Sequence, residues 1–464
     1  MTAPARVAPE PRASWGSAAT WVRLLCVVLA GYAILGRGWA YIGLPPLYVG
    51  EILLLSGLLW TATRADCRRL AATSALLPLA ALMTWGALCT LPFVPAFGVD
   101  ALRDSVVWSY GLLAFVVLAV ISTDARAVPQ LLNSFRRFAI LFVLWFPTLW
   151  ALQLFADAQM PRWPWNDRRI IELKAGDAMV HLAGITAFWA LGLHRGAAAQ
   201  LGRGSVVFSF MTLMVTIAVI AAFNRGAMLA FAAATGICLI LRPRTRLLWT
   251  MAAAVVLLAA TLWVTGLKLE LGQRQRSISF DQLVANVSSV FTSTSAGDLD
   301  ETKEWRMQWW SDIAHYTIRG PHFWVGKGFG VNLASDDGYQ VEEDESLRSP
   351  HNVHLTFLAR GGVPGLVLWV GVLAAWVIPV TRALLRARSR GDTHTEKLFI
   401  FLLAYFAAFI VNASFDVFLE SPMGGIWFWT LYGIGLAVAT QPHSLPSACA
   451  ICHPPDSRTN RSPE

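Results

Sequence analysis

Ser349-Pro350-His351-Asn352-Val353-His354-Leu355, followed by Gly361-Gly362-Val363-Pro364-Gly365, closes the one long polar segment of this chain and opens an apolar one. It sets a histidine where a watery loop meets a run long enough, at about 20 residues, to cross a bilayer as a helix. Composition says what the apolar side is. Of 464 residues, 56% are hydrophobic and only 14% charged, whereas soluble domains carry about 25% charged residues. The mean hydropathy is +0.52. The 21 tryptophans suit side chains that sit at the headgroup level. The fold class is therefore an all-α integral membrane protein. Counting outward from the opening stretch gives about twelve transmembrane helices, near 21–36, 46–63, 71–94, 105–122, 138–156, 177–193, 205–223, 226–241, 247–266, 353–380, 398–416 and 425–440.

The arginines orient these runs. Alternate connections carry Arg64, Arg68 and Arg69; Arg126, Arg136 and Arg137; Arg195 and Arg203; Arg242, Arg244 and Arg246; and Arg382, Arg386, Arg388, Arg390 and Lys397. The opposing short connections hold little beyond Arg37 and Arg103. Cytoplasmic loops collect Lys and Arg, so both termini are expected in the cytoplasm and segments 157–176 and 267–352 outside. The expected organisation is a disordered cytoplasmic N-terminus (1–20), transmembrane helices 1–9 (21–266), a large external loop (267–352), helices 10–12 (353–440) and a disordered cytoplasmic tail (441–464). In the loop, Trp305, Trp309, Ile313 and Tyr316 recur at helical spacing and predict an amphipathic helix over 302–318, ended by Gly320-Pro321. No cleavable signal peptide is expected. The net charge of +8 is spread over short clusters with no continuous basic face, which excludes nucleic acid as a partner. Cys26, Cys89 and Cys238 lie in apolar runs, against a disulfide scaffold.

Several residues could carry chemistry. His351 stands at the membrane boundary facing a loop, and a histidine accepts a proton near neutral pH. Capping the helix or anchoring it at the interface is the alternative. Arg225, in Phe223-Asn224-Arg225-Gly226, has no neighbouring basic cluster, and its planar guanidinium matches phosphate oxygens. Snorkelling at a tight hairpin is the other reading. Arg306 precedes Trp310 by four residues and either stacks on it or faces water. Asp177 and His181 lie four apart at the external end of a helix and could pair or contact substrate. Asp416 and Glu420 flank the last external turn. Glu342-Glu343-Asp344-Glu345 lacks calcium-loop spacing and reads as a solvated charge run. Cys449-Ala450-Ile451-Cys452-His453 has the haem-attachment spelling, but topology puts it inside, and one CxxC lacks the remaining ligands of a zinc site.

Three elements together resemble the O-antigen ligase/O-antigen polymerase superfamily of bacterial membrane glycosyltransferases. Asn224-Arg225-Gly226 stands in the place of the family's Ser-Arg-Gly helix start. Arg306, Trp310 and Ile313 lead through Pro321 into Gly326-Lys327-Gly328-Phe329-Gly330, similar to the family's Arg-bearing helix and Gly-x-Gly turn. Pro350-His351-Asn352 and Leu355 with Gly362-Val363-Pro364-Gly365 are similar to its His-Asn-x-x-Leu … Gly-x-x-Gly. His354 stands where an aromatic residue is common. The likeness runs over about 205–440.

The resemblance implies transfer or polymerisation of a glycan from an undecaprenyl-diphosphate-linked donor to a glycan or lipid acceptor. The site would lie at the external face of the bacterial inner membrane, without metal or cofactor, in polysaccharide assembly (O-antigen, exopolysaccharide or capsule) alongside other membrane proteins of that process. His351 would be the catalytic base and Arg225 and Arg306 the diphosphate ligands. Asn352, His354, Asp177, His181, Asp416 and Trp310 are further candidate donor or acceptor contacts, and Trp163 and Trp165 offer flat faces to sugar rings. A transporter or flippase for lipid-linked glycans is the alternative; it would place its polar residues near the bilayer midplane on broken helices.

Overall fold

The computed structural model describes residues 17–66, 70, 73–194, 203–266, 269–270, 277–278 and 298–440. The apolar runs are all helical: α1 (Ala18–Leu35), α2 (Val49–Arg64), α3 (Leu77–Thr90), the pair α4 (Val99–Ser109) and α5 (Leu112–Thr123), α6 (Ala127–Phe155), α7 (Ala175–Ala190), α8 (Arg203–Phe223), α9 (Arg225–Leu241) and α10 (Arg246–Thr265). After α11 (Asp298–Ala314) in the polar segment come α12 (Val353–Ser389), α13 (Thr393–Ala413) and α14 (Pro422–Thr440). Strand among the described residues is confined to two antiparallel pairs of two-residue segments.

Among the described residues, six helices are long and apolar enough to cross a membrane: Ala18–Leu35, Ser74–Phe97, Ala127–Phe155, Val353–Ser389, Thr393–Ala413 and Pro422–Thr440. The pair α4–α5, bent by 43° at a short break, makes a seventh if counted as one span. Three of the other expected spans form shorter helices. α2 and α7 have 16 residues and α9 has 17. At about 1.5 Å per residue they reach roughly 24–26 Å, less than the ~30 Å hydrocarbon core.

Helix ends sort into two groups. At one end Glu396 of α13 pairs with Arg388 of α12 at 3.0 Å and with Arg242, just past α9, at 3.6 Å. Two of the arginine clusters noted in the sequence therefore share one end. At the other end, the starts of α7, α9 and α12 meet the turn after α13, where the candidate residues collect. α14 is apolar on all sides and almost wholly buried, which suits a helix surrounded by protein.

The opening stretch is a broken helix rather than a plain one. Gly362 (φ +68°) interrupts α12. Val363 N turns away from its helical acceptor, Ala359, and donates to Phe323 O at 2.8 Å, and Pro364 has no N–H to offer Arg360 O. The carbonyls of Ala359 and Arg360 are instead satisfied by the glycine-rich loop: Lys327 N donates to Ala359 O (2.7 Å) and Gly328 N to Arg360 O (3.2 Å). Close approach explains the glycines. A Cβ at Gly362 would lie 2.4 Å from Phe323 O, and one at Gly326 2.5 Å from Ala359 O.

The same junction buries a charge. Arg360 is 2% exposed and donates to Asp104 of α4 at 3.0 Å and to the carbonyls of Gly328, Val331 and Arg348. Asp104 also accepts from both Arg348 Nε (3.2 Å) and Nη2 (2.9 Å), and from Gly330 N (3.1 Å). Beside it, the apolar stripe of α11 packs inward. Trp309 and Ile313 are fully buried against Leu333, Leu347 and Leu358, with Trp305 and Tyr316 at the margin. The helix ends in a π turn, His315–Arg319. Glu342, Glu343, Asp344 and Glu345 are all exposed. The Cys449–His453 motif lies outside the described residues.

Removing one partner of a buried ion pair leaves the other charged and unpaired, which costs about 3–5 kcal/mol. Asp104→Ala is expected to lower the thermal midpoint of the detergent-solubilised protein by far more than Asp100→Ala, whose carboxylate is half-exposed and 3.4 Å from Arg348. Equal midpoints for the two variants would contradict the assignment of Asp104 as the anchor.

Candidate functional site

Two of the three motifs start a helix, and their asparagines are caps. Asn224 Oδ1 accepts from Ala227 N at 3.0 Å, and Asn352 Oδ1 from His354 N (3.0 Å) and Leu355 N (3.3 Å). Asn and Ser are about equally good N-caps, which accounts for Asn224 where the resemblance leads one to expect Ser. Capping by Asn352 leaves the preceding residue outside the helix. His351 adopts φ +54°, a left-handed conformation uncommon for a non-glycine residue and often found at functional sites. Trp310 of α11 holds this turn by donating from Nε1 to Pro350 O at 2.8 Å.

In that conformation His351 Nδ1 lies 3.7 Å from Asp416 Oδ1. Lys174 Nζ donates to the same oxygen at 2.7 Å, and so does Val417 N at 2.8 Å. Arg306 reaches the same turn from α11, donating from Nη1 to Phe415 O at 3.2 Å. The start of α9 closes on it too, since a Cβ at Gly226 would lie 3.1 Å from Phe415 Cβ. His351, Arg225, Arg306, Asp416 and the unforeseen Lys174 thus meet at one end of the bundle.

Electrostatics follow from crowding. Burial alone would raise the Asp416 pKa, but the interaction with His351 and the Lys174 charge outweigh it and hold the carboxyl well below its ordinary value. Burial opposes the Lys174 charge, yet Asp416 and Asp177 more than compensate and raise its pKa. Arg306 goes the other way: burial lowers its pKa and the like charge of Arg225 adds to this, with Asp416 opposing. Two guanidinium groups close enough to weaken one another are an arrangement an anion would relieve. Glu420 is raised by burial, partly offset by hydrogen bonds such as that from Thr356 Oγ1 (2.8 Å) and by the charges of Arg360 and His351.

A family described as O-antigen ligase matches residues 210–370, a span containing Arg225, Arg306 and His351. Over that span the chain is similar to the O-antigen ligase family. The match indicates a membrane glycosyltransferase of the O-antigen ligase type. No curated protein matches the chain. Lys174, Asp177 and Asp416 lie outside the matched span, so the ligase-type segment supplies only part of the cluster.

Other candidates take different places. His181 does not pair with Asp177. It is 3% exposed, hydrogen-bonded through Nδ1 to Tyr405 OH at 2.7 Å and ringed by Phe138, Phe142 and Trp427. His354 is held at both nitrogens, by Trp369 Nε1 (3.0 Å) at Nδ1 and by Ser414 Oγ (3.1 Å) at Nε2. Accepting at Nδ1 makes Nε2 the protonated nitrogen and the ring a neutral brace. Asn352 and Trp310 shape the His351 turn. Trp163 and Trp165 stack on each other at 4.7 Å and donate to Gly38 O and Tyr41 O. Lys174 gave no motif signal, whereas Arg360 did: an ionisable residue inside an apolar run marks a special position.

A carboxyl whose folded pKa is depressed contributes stability above its ordinary range, lost as pH falls through that range towards the folded value. Wild-type protein should therefore exceed Asp416→Asn in thermal midpoint at pH 7, with the gap narrowing on acidification below about pH 4. A gap independent of pH would show that Asp416 is not held ionised by its neighbours.

Proposed function

We propose that this protein transfers or polymerises a glycan from an undecaprenyl-diphosphate-linked donor to an acceptor hydroxyl at the external face of the bacterial inner membrane. The convergence of His351, Asp416 and two mutually repelling arginines at one end of the bundle carries this reading. The acceptor hydroxyl gives its proton to His351 Nε2, the ring nitrogen away from Asp416. Its oxygen forms a bond to the anomeric carbon as the bond from that carbon to the phosphate oxygen breaks. The electron pair leaves on the diphosphate. Direct displacement inverts the anomeric centre.

Each residue has a share in that step. Asp416, 3.7 Å from Nδ1, favours the imidazolium as it forms and keeps Nε2 as the accepting atom, a positioning role. Arg225 and Arg306 stabilise the charge growing on the diphosphate, an effect of roughly 3–4 kcal/mol for one well-placed donor. Lys174 keeps Asp416 ionised. The reading goes with about twelve membrane-crossing helices, some short or broken, with both termini cytoplasmic and the 267–352 segment outside. The polar groups cluster at a helix-end junction rather than midway along broken helices, which disfavours a transporter.

His351→Ala should abolish transfer in a membrane assay with lipid-linked donor, by at least about 10²-fold, with expression unchanged. Retained turnover would remove His351 as the base. Arg225→Lys should also be slow, because lysine offers a point charge where a planar fork is needed, and wild-type turnover would count against bidentate phosphate contact. A deletion strain separates acceptor classes. Full-length chains stranded on the carrier indicate a ligase, and single repeats a polymerase.

A further inference from the structure

Three buried polar atoms at the site have no hydrogen-bond partner among the described residues: Asp177 Oδ1, Asn412 Nδ2 and Arg306 Nε. Asn412, near the end of α13, is 1% exposed. Buried donors and acceptors are rarely left unpaired, because each forfeits its water without compensation. All three belong to residues near Asp416. Asp177 and Arg306 both interact with the charge of Asp416. Gly176 sits among the rest: a Cβ there would lie 3.1 Å from Asn224 Nδ2, 3.3 Å from Asn412 Oδ1 and 3.5 Å from Asp416 Oδ2. The absence of a side chain at 176 lets the start of α7 approach these groups closely.

The chemistry of the unpaired atoms is selective. Arg306 Nε suits a phosphate oxygen. A carboxylate repels one, so Asp177 Oδ1 is not a ligand for the diphosphate itself. A carboxylate acceptor beside an amide donor is instead a pair that hydroxyl groups satisfy, since each hydroxyl both donates and accepts. Gly176, next to Asp177, packs against Asn224, Asn412 and Asp416. A sugar joined to a diphosphate and attacked beside His351 comes close to these groups.

We propose that Asn412 and Asp177 form a subsite for the transferred sugar, Asn412 Nδ2 donating to one ring hydroxyl and Asp177 Oδ1 accepting from another. The subsite rests on the glycosyl-transfer reading above and extends it from the diphosphate to the sugar it carries.

The test uses the purified full chain in nanodiscs and two probes, undecaprenyl diphosphate and undecaprenyl diphosphate bearing a single N-acetylglucosamine, with binding read by tryptophan fluorescence. Wild type should bind the sugar-bearing probe more tightly. Asn412→Leu should bind bare undecaprenyl diphosphate as wild type does and Asp177→Asn at least as tightly, and both should lose roughly three- to tenfold in their preference for the sugar-bearing probe. Asn412→Leu should also keep or raise the thermal midpoint of the empty protein, because it removes an unpaired buried donor. Arg306→Ala should weaken both probes. No wild-type preference for the sugar, or a preference kept in both Asn412→Leu and Asp177→Asn, overturns the subsite. So does a lowered midpoint in Asn412→Leu with its preference intact. If Arg306→Ala binds both probes as wild type does, the diphosphate reading itself falls.

Discussion

Arg360 places a guanidinium inside an apolar helix, 2% exposed, and Asp104 is the carboxylate that balances it at 3.0 Å. An isolated buried charge is among the costliest things a fold can hold, so every segment around this pair is constrained to satisfy it. α4 supplies the aspartate, the glycine-rich loop gives the carbonyls of Gly328 and Val331, and the chain just before His351 gives Arg348 and its carbonyl. The polar segment between α10 and α12 is thereby fastened to the bundle at the point where α12 breaks.

The break and the loop are two halves of one device. Gly362 and Pro364 deprive two carbonyls of helical partners, and the backbone of Lys327 and Gly328 restores them. Glycine is needed on both sides because the two backbones approach too closely for a Cβ. With loop and helix locked together, α11 can present Trp310 to the Pro350 carbonyl and Arg306 to the turn after α13. His351 is held in a left-handed conformation between an anchored residue and a helix cap. Its contact with Asp416 follows from that, and the contact with Lys174 brings in α7 from the first half of the chain.

Much of this was legible in the residues. The apolar runs announced helices because only a helix satisfies its own backbone within lipid. The stripe Trp305, Trp309, Ile313 and Tyr316 announced a packed face because helical periodicity is local. Arg225, Arg306 and His351 stood out as polar groups at the borders of apolar runs, and the O-antigen ligase match covers all three. The pairing of Asp177 with His181 did not survive. Four-residue spacing puts two side chains on one face, but a neighbouring hydroxyl, Tyr405 OH, was the better partner for the ring. His354, Asn352 and Trp310 looked like substrate contacts because they border the motif, and each turns out to hold its geometry.

Taken alone, the sequence determined the helical membrane fold and the identity of the cationic and basic residues. These depend on composition and on neighbours a few positions apart. Only the tertiary structure decided that Lys174, Asp416 and Asn412 join His351 and that Arg360 answers to Asp104. Such pairings span 65 to 256 positions of chain, as 351−416 and 104−360 show. Nothing local encodes them, because they arise when separate helices pack and their ends are forced to share one desolvated space.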